Sequence, residues 1–397
     1  MNRQIENNII KEYLNKINLE EGQDYFEFLE DLRKKHGNVV VNTLNNAMTM
    51  RNGNGNSNKI YKLKNASLEL SIDFTAYSAN LYKSYFEWLI KNDDLNPKNI
   101  LDLGCDNGIV TCFYALLYPN AKVIGVDKEK KGVECGIELA KKLNLTNVEF
   151  KVMDGKKLDK SFDENQFDLV VSVRSVLEMI MISQPKRVWT LEERLNSPLV
   201  ANSTIKAFKS IKKIMSEDGK LITFERLGSM DCILNFANIL SLSGLYVDLD
   251  NFAKIQFHEL GEEQEMPLLI FTKTKENNLI ELVDKYSEAP IINKIMESND
   301  GFKYELQFNQ IENKELLFGC QINYADNSGN QRDEIWKYED QMIYYKYTNT
   351  GYRELEIEDI KEYENKKNEI IKSANFTSVF GSKTHQYSSI DKRELIK

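Results

Sequence analysis

The chain has few of the residues that build metal and disulfide sites. Its 397 residues include three histidines and five cysteines, and no two cysteines stand in C-x-x-C spacing. Cys105, Cys112, Cys135, Cys232 and Cys320 form an odd set, which argues against a zinc site and against a secreted disulfide framework. Reduced thiols in a cytoplasmic protein are the simpler reading, with no metal. Long apolar runs are also missing. No stretch reaches the roughly 18 residues that a membrane helix needs, and the opening MNRQIENNIIKEYLNK is too polar for a secretory signal. Net positive charge is missing too: at −9, the chain carries no electrostatic footprint for duplex DNA or RNA.

What remains is ordinary globular material. A 42% apolar share and this length allow a full core without staples. The length also predicts two globular units plus a helical extension. The wealth of Asn, Lys, Ile and Tyr fits an AT-rich bacterial coding sequence.

Along the chain, Ile5, Ile9, Ile10, Tyr13, Leu14 and Ile17 recur at helical spacing, and Phe26, Leu29 and Leu32 continue the habit. Arg51–Asn58 (RNGNGNSN) reads as an exposed loop. Another helix carries Leu81, Tyr82, Tyr85, Phe86, Leu89 and Ile90. From Asn99, short apolar runs alternate with amphipathic segments: NILDLG, KVIGVD, VEFKVMD, FDLVVSV and KLITFE, then the late strands KIQFHEL and PLLIFTKT. That alternation predicts a mostly parallel sheet with helices on both faces. The helix bearing Ile205, Phe208, Ile211 and Ile214 is expected to stop at Asp218-Gly219. Beyond about Lys275, aromatic strands (GFKYELQF, LLFGCQINYA, DEIWKYE, QMIYYKYT, YRELEIE) and the helix DIKEYENKKNEIIKSA predict an antiparallel meander. The expected division is therefore a helical extension over 1–76, an α/β domain over 77–275 and a β-rich accessory domain over 276–397.

Chemistry concentrates at the ends of the first three strands. Leu101-Asp102-Leu103-Gly104-Cys105-Asp106-Asn107-Gly108 is a strand, a glycine loop and a helix start, where backbone N–H groups can approach a ligand and the helix end favours an anion. Asp127 ends the next strand 25 residues after Asp102, placed to accept both hydroxyls of a ribose. Asp154 ends the third, where a carboxylate can take an adenine amino group beside Met153. Three acids at successive strand ends face the crevice where such sheets bind ligands.

On these residues, Asn99–Val176 resembles a class I S-adenosylmethionine-dependent methyltransferase. DLGCDNG matches its glycine loop, VIGVD its ribose acid, VMDG its adenine acid and FDLVVSVRSVLE its fourth strand. The resemblance implies a seven-stranded Rossmann-like sheet with the last two strands running consecutively, and S-adenosylmethionine as cofactor. It assigns Asp102, Gly104 and Gly108 to the methionine part, with Cys105 as a small loop residue. Asp127, with Lys128 beside it, goes to the ribose, Met153 and Asp154 to the adenine, and Val173 and Arg174 to the rim beneath the sulfonium. The chain departs from the family at Asp106, which replaces the middle glycine. A carboxylate there disfavours the diphosphate of a nicotinamide cofactor; turned toward an α-ammonium, it would favour the methionine part.

Methyl transfer from a sulfonium needs orientation, dryness and, for some acceptors, a base. Glu178 is the first choice for the base or for binding a substrate amine, with Arg174 and Glu225 beside it. Arg226 ends the same strand as Glu225, and an ion pair between those two is an equal reading. His258 reads as structural. Tyr77 and Tyr82 precede the sheet and could cover the cofactor, and Trp189, within Ser183–Leu199, could line an acceptor pocket. The leading expectation is a small-molecule acceptor with no membrane partner. The alternatives are a protein or RNA acceptor recognised through Tyr338, Tyr344, Tyr345 and Tyr347, and a non-catalytic binding protein weakened by Asp106.

Overall fold

The computed structural model describes residues 3–20, 24–54, 58–92, 95–180, 187–196, 200–274, 278–288, 301–326 and 328–388. Five helices come first: α1 (Arg3–Ile17), α2 (Tyr25–Asn54), α3 (Asn58–Lys64), α4 (Leu68–Thr75) and α5 (Ala79–Lys91). α2 breaks at Gly37, whose φ of 82° lies outside the helical region and is open mainly to glycine. The loop expected over Arg51–Asn58 is corrected: helix runs to Asn54 and restarts at Asn58, with 55–57 outside the described residues. Each glycine in a helix costs only about 1 kcal/mol, so α2 reaches past Gly53 despite its composition.

The central sheet then alternates with helices: β1 (Asn99–Leu103), α6 (Ile109–Leu117), β2 (Lys122–Asp127), α7 (Lys130–Lys142), β3 (Val148–Val152), β4 (Phe167–Val173), α8 (Val176–Ile180), α9 (Leu191–Asn196), α10 (Asn202–Ile214), β5 (Met215–Phe224), α11 (Met230–Leu242), β6 (Tyr246–Val247), β7 (Ala253–Glu259) and β8 (Glu262–Thr272). Strand order is β3-β2-β1-β4-β5-β8-β6, with β7 paired to β8. β1 to β5 are parallel and β8 is antiparallel to β5. Because β1 lies between β2 and β4, the chain leaves it in opposite directions and a crevice opens at its carboxyl end. Helices cover both faces, with Tyr85, Phe86 and Phe113 packed on one and Phe208, Leu234 and Phe236 on the other.

Three readings of this region change. The seven-strand count missed β6, whose two residues are too short to show alternation. KIQFHEL is an added strand that forms a hairpin with the first half of β8. α10 ends at Ile214, and Asp218-Gly219 lies within β5, where the pairing with β4 shifts register.

The last part comprises α12 (Leu279–Glu288), α13 (Gly301–Gln310), β9 (Glu315–Asn323), β10 (Asn330–Tyr338), β11 (Gln341–Thr348), β12 (Arg353–Asp359), α14 (Tyr363–Val379) and β13 (Lys383–Tyr387). Its antiparallel sheet has the order β12-β11-β10-β9-β13. GFKYELQF, expected as a strand, is helix α13. Its apolar residues also fit a two-residue period, but Phe302, Glu305 and Phe308 share a buried helical face, and Tyr304 is turned outward. Lys275, the expected domain edge, lies outside the described residues. Packing changes character later: Leu282, Val283, Tyr286 and Phe302 join the core of the central sheet, while Phe308 stacks on Tyr345 at 4.1 Å.

Candidate active site

The crevice at the carboxyl ends of β1, β2, β4 and β5 is a cleft of about 430 Å³. Its floor is the strand ends and the glycine loop. Asp102 is buried and accepts a hydrogen bond from Thr111 Oγ1 at 2.5 Å; burial nevertheless pushes its carboxyl up to about 7. The loop turns left-handed at Gly104 (φ 72°), Asp106 (45°) and Gly108 (81°). A Cβ on Gly104 would collide with Ser175, and one on Gly108 with Gly136 and the Phe150 ring. Aspartate tolerates the left-handed region better than most side chains, which is how Asp106 stands in a glycine's place. Asp127 ends β2 with Oδ2 accepting from the Asp106 N–H at 3.1 Å and Oδ1 from the Glu129 N–H at 2.8 Å. Burial raises the Asp127 carboxyl above the usual range.

Of the residues singled out in the sequence, Asp102, Gly104, Cys105, Asp106, Asp127, Lys128, Val173, Arg174, Glu178, Glu225, Tyr77 and Tyr82 all line this cleft. Gly108, Met153 and Asp154 stand outside its lining. Met153 packs against the core, and the Asp154 carboxylate accepts from the Lys156 N–H at 3.0 Å.

The proposed catalytic trio occupies three different environments. Glu178 is exposed on α8, and its Oε2 accepts from Tyr61 OH at 3.0 Å. Arg174 sits at the end of β4 in a left-handed conformation (φ 52°), its guanidinium donating to both oxygens of Glu259 at 2.5 and 2.9 Å and lying 5.4 Å from the Phe257 ring. Burial pushes the Glu259 carboxyl up, but the hydrogen bonds and charge of Arg174, the Ser78 hydrogen bond and the charge of Arg226 together hold the group below the ordinary value. Glu225 is 1% exposed and accepts from Ser172 Oγ (2.7 Å) and from the N–H groups of Ser175 (3.1 Å) and Val176 (3.0 Å). Burial pushes it up to about 7. These partners give Glu225 the work of tying β5 to the start of α8. It does not pair with Arg226, which instead lies 3.7 Å from Glu259.

The roof is assembled from residues that the sequence did not mark as functional. Tyr25, Phe28, Met48, Ile60, Tyr61 and Phe74 line the cleft from α2, α3 and α4. Phe28, Phe74 and Tyr77 pack edge to face with ring centres 5.7–6.0 Å apart. Glu259 and Leu260 enter from the β7–β8 turn, and Ser78 Oγ donates to Glu259 Oε1 at 2.8 Å. The Asp106 carboxylate is held by Lys64 Nζ and by Asn65 Nδ2, so its partners are on the roof. A single sequence carries no signal that brings positions so far apart together.

Two expectations for specificity residues are corrected. Trp189 is not in the cleft lining; its ring lies 4.2 Å from the Arg332 guanidinium and 5.7 Å from Tyr347, at the junction with the second sheet. The second sheet's tyrosines do not make an open binding face. Tyr344, Tyr345 and Tyr347 are buried, with Tyr344 OH donating to Asp333 and Tyr347 OH to Glu334, and Tyr338 is half-buried. His258 is paired with Glu263 at 2.5 Å on β7, in keeping with a structural role. Among the described residues, no cluster of three or more His, Cys, Asp or Glu side chains could hold a metal, and no helix is long and apolar enough to cross a membrane.

Residues 95–238 match the family described as "Methyltransferase domain". The candidate methyltransferase 235L of Invertebrate iridescent virus 6 is 33% identical over 97 residues, 22% of this chain and 34% of that protein. The uncharacterized protein RP028 of Rickettsia prowazekii is 31% identical over 98 residues, 23% of this chain and 38% of that protein. The matches thus span about a third of the length of these curated relatives. The crystal structure of an S-adenosylmethionine-dependent methyltransferase from Aquifex aeolicus aligns at 16% identity with a TM-score of 0.33, covering 47% of this chain and 89% of that one. The family match runs from β1 to α11 and takes in the glycine loop and the acids that follow it, so this part of the chain is similar to a methyltransferase domain.

Proposed function

We propose that the chain is an S-adenosylmethionine-dependent methyltransferase, of the cytoplasmic type its sequence predicts, acting on a small molecule seated beneath its N-terminal helices. The observation that carries this reading is the roof. Six side chains from α2, α3 and α4, all aromatic or aliphatic, line the same cleft as Val173 and Arg174. Such a covered, largely apolar recess suits a small acceptor better than a polymer.

The donor set fits the cofactor. Seven carboxyl side chains and four cationic ones line the cleft, an excess that favours a sulfonium cation and opposes a diphosphate. Asp102 and the loop at Gly104 would hold the methionine part and Asp127 with Lys128 the ribose, while Gly108, Met153 and Asp154, the last two expected at the adenine, lie outside the cleft lining. When bound, S-adenosylmethionine supplies an electrophilic methyl group on sulfur. The protein's share is orientation and dryness: Tyr77, Tyr82 and the roof exclude water, and the Arg174–Glu259 pair stiffens the rim. Glu178, paired with Tyr61, takes the proton that the acceptor nucleophile loses. Glu225 supports this arrangement from beneath by holding the β4–α8 turn.

The test is transfer of a labelled methyl group by the full chain into host extract, followed by separation of small molecules, protein and RNA. Label in the small-molecule fraction is expected. Label confined to protein or RNA overturns the acceptor assignment, and no label with no S-adenosylhomocysteine binding overturns the activity.

A further inference from the structure

We propose that Asp106 is a positioning residue that latches α3 and α4 onto the cofactor loop, so that closure of the roof and cofactor binding are linked. This rests on the function proposed above. The place taken by Asp106 requires a left-handed backbone, which normally calls for glycine; an aspartate there adds a carboxylate to the loop at little conformational cost.

That carboxylate reaches the roof. One oxygen accepts from Lys64 Nζ and the other from Asn65 Nδ2 at 2.7 Å. Asn65, 1% exposed, continues the network through Oδ1, which accepts from Ser71 Oγ at 2.6 Å. Asn107, the next residue of the loop, donates from Nδ2 to Ser71 Oγ at 2.9 Å and to Thr75 Oγ1 at 3.1 Å. Two adjacent loop residues therefore bind the end of α3 and two turns of α4. On its other side, the Asp106 N–H donates to Asp127, the acid assigned to the ribose. The same latch reaches the base. Lys64 lies 5.4 Å from the Tyr61 ring, and Tyr61 OH donates to Glu178.

The Lys64 side chain is 8% exposed, so removing Asp106 leaves a buried ammonium without this partner, a costly state that the segment relieves by moving away from the loop. If roof order and cofactor binding share this contact, linkage makes the effect reciprocal: cofactor orders the roof as much as the roof favours cofactor.

The experiment compares wild type with Asp106→Gly, Asp106→Asn, Lys64→Met and the Asp106→Gly/Lys64→Met double variant. Amide hydrogen exchange is read over residues 58–75 in the ligand-free chain, and S-adenosylhomocysteine affinity by calorimetry. Asp106→Gly is expected to speed exchange over 58–75 about tenfold, to leave β1 and β4 protected, and to weaken S-adenosylhomocysteine about tenfold. Asp106→Asn, nearly the same size, should fold as wild type and show an intermediate loss. Adding Lys64→Met to Asp106→Gly should cost nothing further. Unchanged exchange over 58–75 in Asp106→Gly, or losses that add in the double variant, overturns the latch. The exchange readout needs no ligand. A wild type that binds no S-adenosylhomocysteine therefore counts against the proposed function, while the exchange result still decides the latch.

Discussion

The floor and the roof of the cleft come from different parts of the chain and are held in different ways. The floor is drawn from strand ends and one loop between Asp102 and Arg226; the roof comes from Tyr25 to Tyr82 and from the β7–β8 turn at Glu259 and Leu260. Backbone pairing places the floor, since each strand's register sets where its last residue lies. Side chains place the roof, through Asp106 to Lys64 and Asn65, Asn107 to Ser71 and Thr75, and Arg174 to Glu259 and Ser78. A floor built from sheet geometry suits the constant part of a reaction, the cofactor, and a roof built from side chains suits the variable part, the acceptor.

This division should separate the variants. Glu178→Gln, on the floor segment but bonded to the roof residue Tyr61, is expected to lower kcat by about 10²–10⁴ while S-adenosylhomocysteine affinity stays within about twofold. A parallel loss of affinity would mean that the two sides are not separable. Asp127→Ala, on the floor, should weaken S-adenosylhomocysteine roughly 100-fold by calorimetry, the loss of two charge-assisted hydrogen bonds; unchanged affinity would move the ribose elsewhere.

The floor should also set the response to pH. Asp102 and Glu225 are both held near 7 by burial, above their ordinary values. Each binds its proton more tightly in the folded chain, so its stabilising contribution is complete below about pH 4 and disappears as pH rises through 7. Urea unfolding should therefore show stability falling by several kcal/mol at most between about pH 4 and 7, about 1.4 kcal/mol for each tenfold difference in proton affinity. Asp102→Asn should flatten part of that slope. The smallest effect is expected at Trp189. Trp189→Leu should cost about 1 kcal/mol of stability through the lost contact with Arg332, and leave acceptor KM unchanged. A several-fold change in KM would return Trp189 to the acceptor site.

Much of the floor is legible in the chain's residue pattern. Asp102 and Asp127 end strands whose apolar runs are unambiguous, and the sheet rule sends such residues to one edge. Gly104 and Gly108 announce a left-handed turn, and Asp106 is explained by the same backbone demand. For Glu225 the pattern shows the position, at the end of β5, but not the role. Its bonds to Ser172, Ser175 and Val176 depend on two strands and a helix meeting. α13 is ambiguous in sequence because Phe302, Tyr304, Leu306 and Phe308 satisfy a two-residue period as well as a helical one. Glu305 decides between them, since the helix turns it toward the buried Arg353 at 2.9 Å. Trp189 carries no such local clue: its neighbours, Arg332 and Tyr347, lie about 150 residues away in the sequence.

The α/β order of the domain, the left-handed loop after β1 and the acids at the next strand ends are therefore properties of the sequence alone. They are local, set by residue type and by a spacing of a few residues. The roofing of the cleft by the N-terminal helices, the facing of Asp106 to Lys64 and Asn65, and the inward turn of the second sheet's tyrosines arise only when distant segments pack. Those outcomes depend on which buried polar groups find partners, and a carboxylate can satisfy that demand with any donor that the fold brings within about 3 Å.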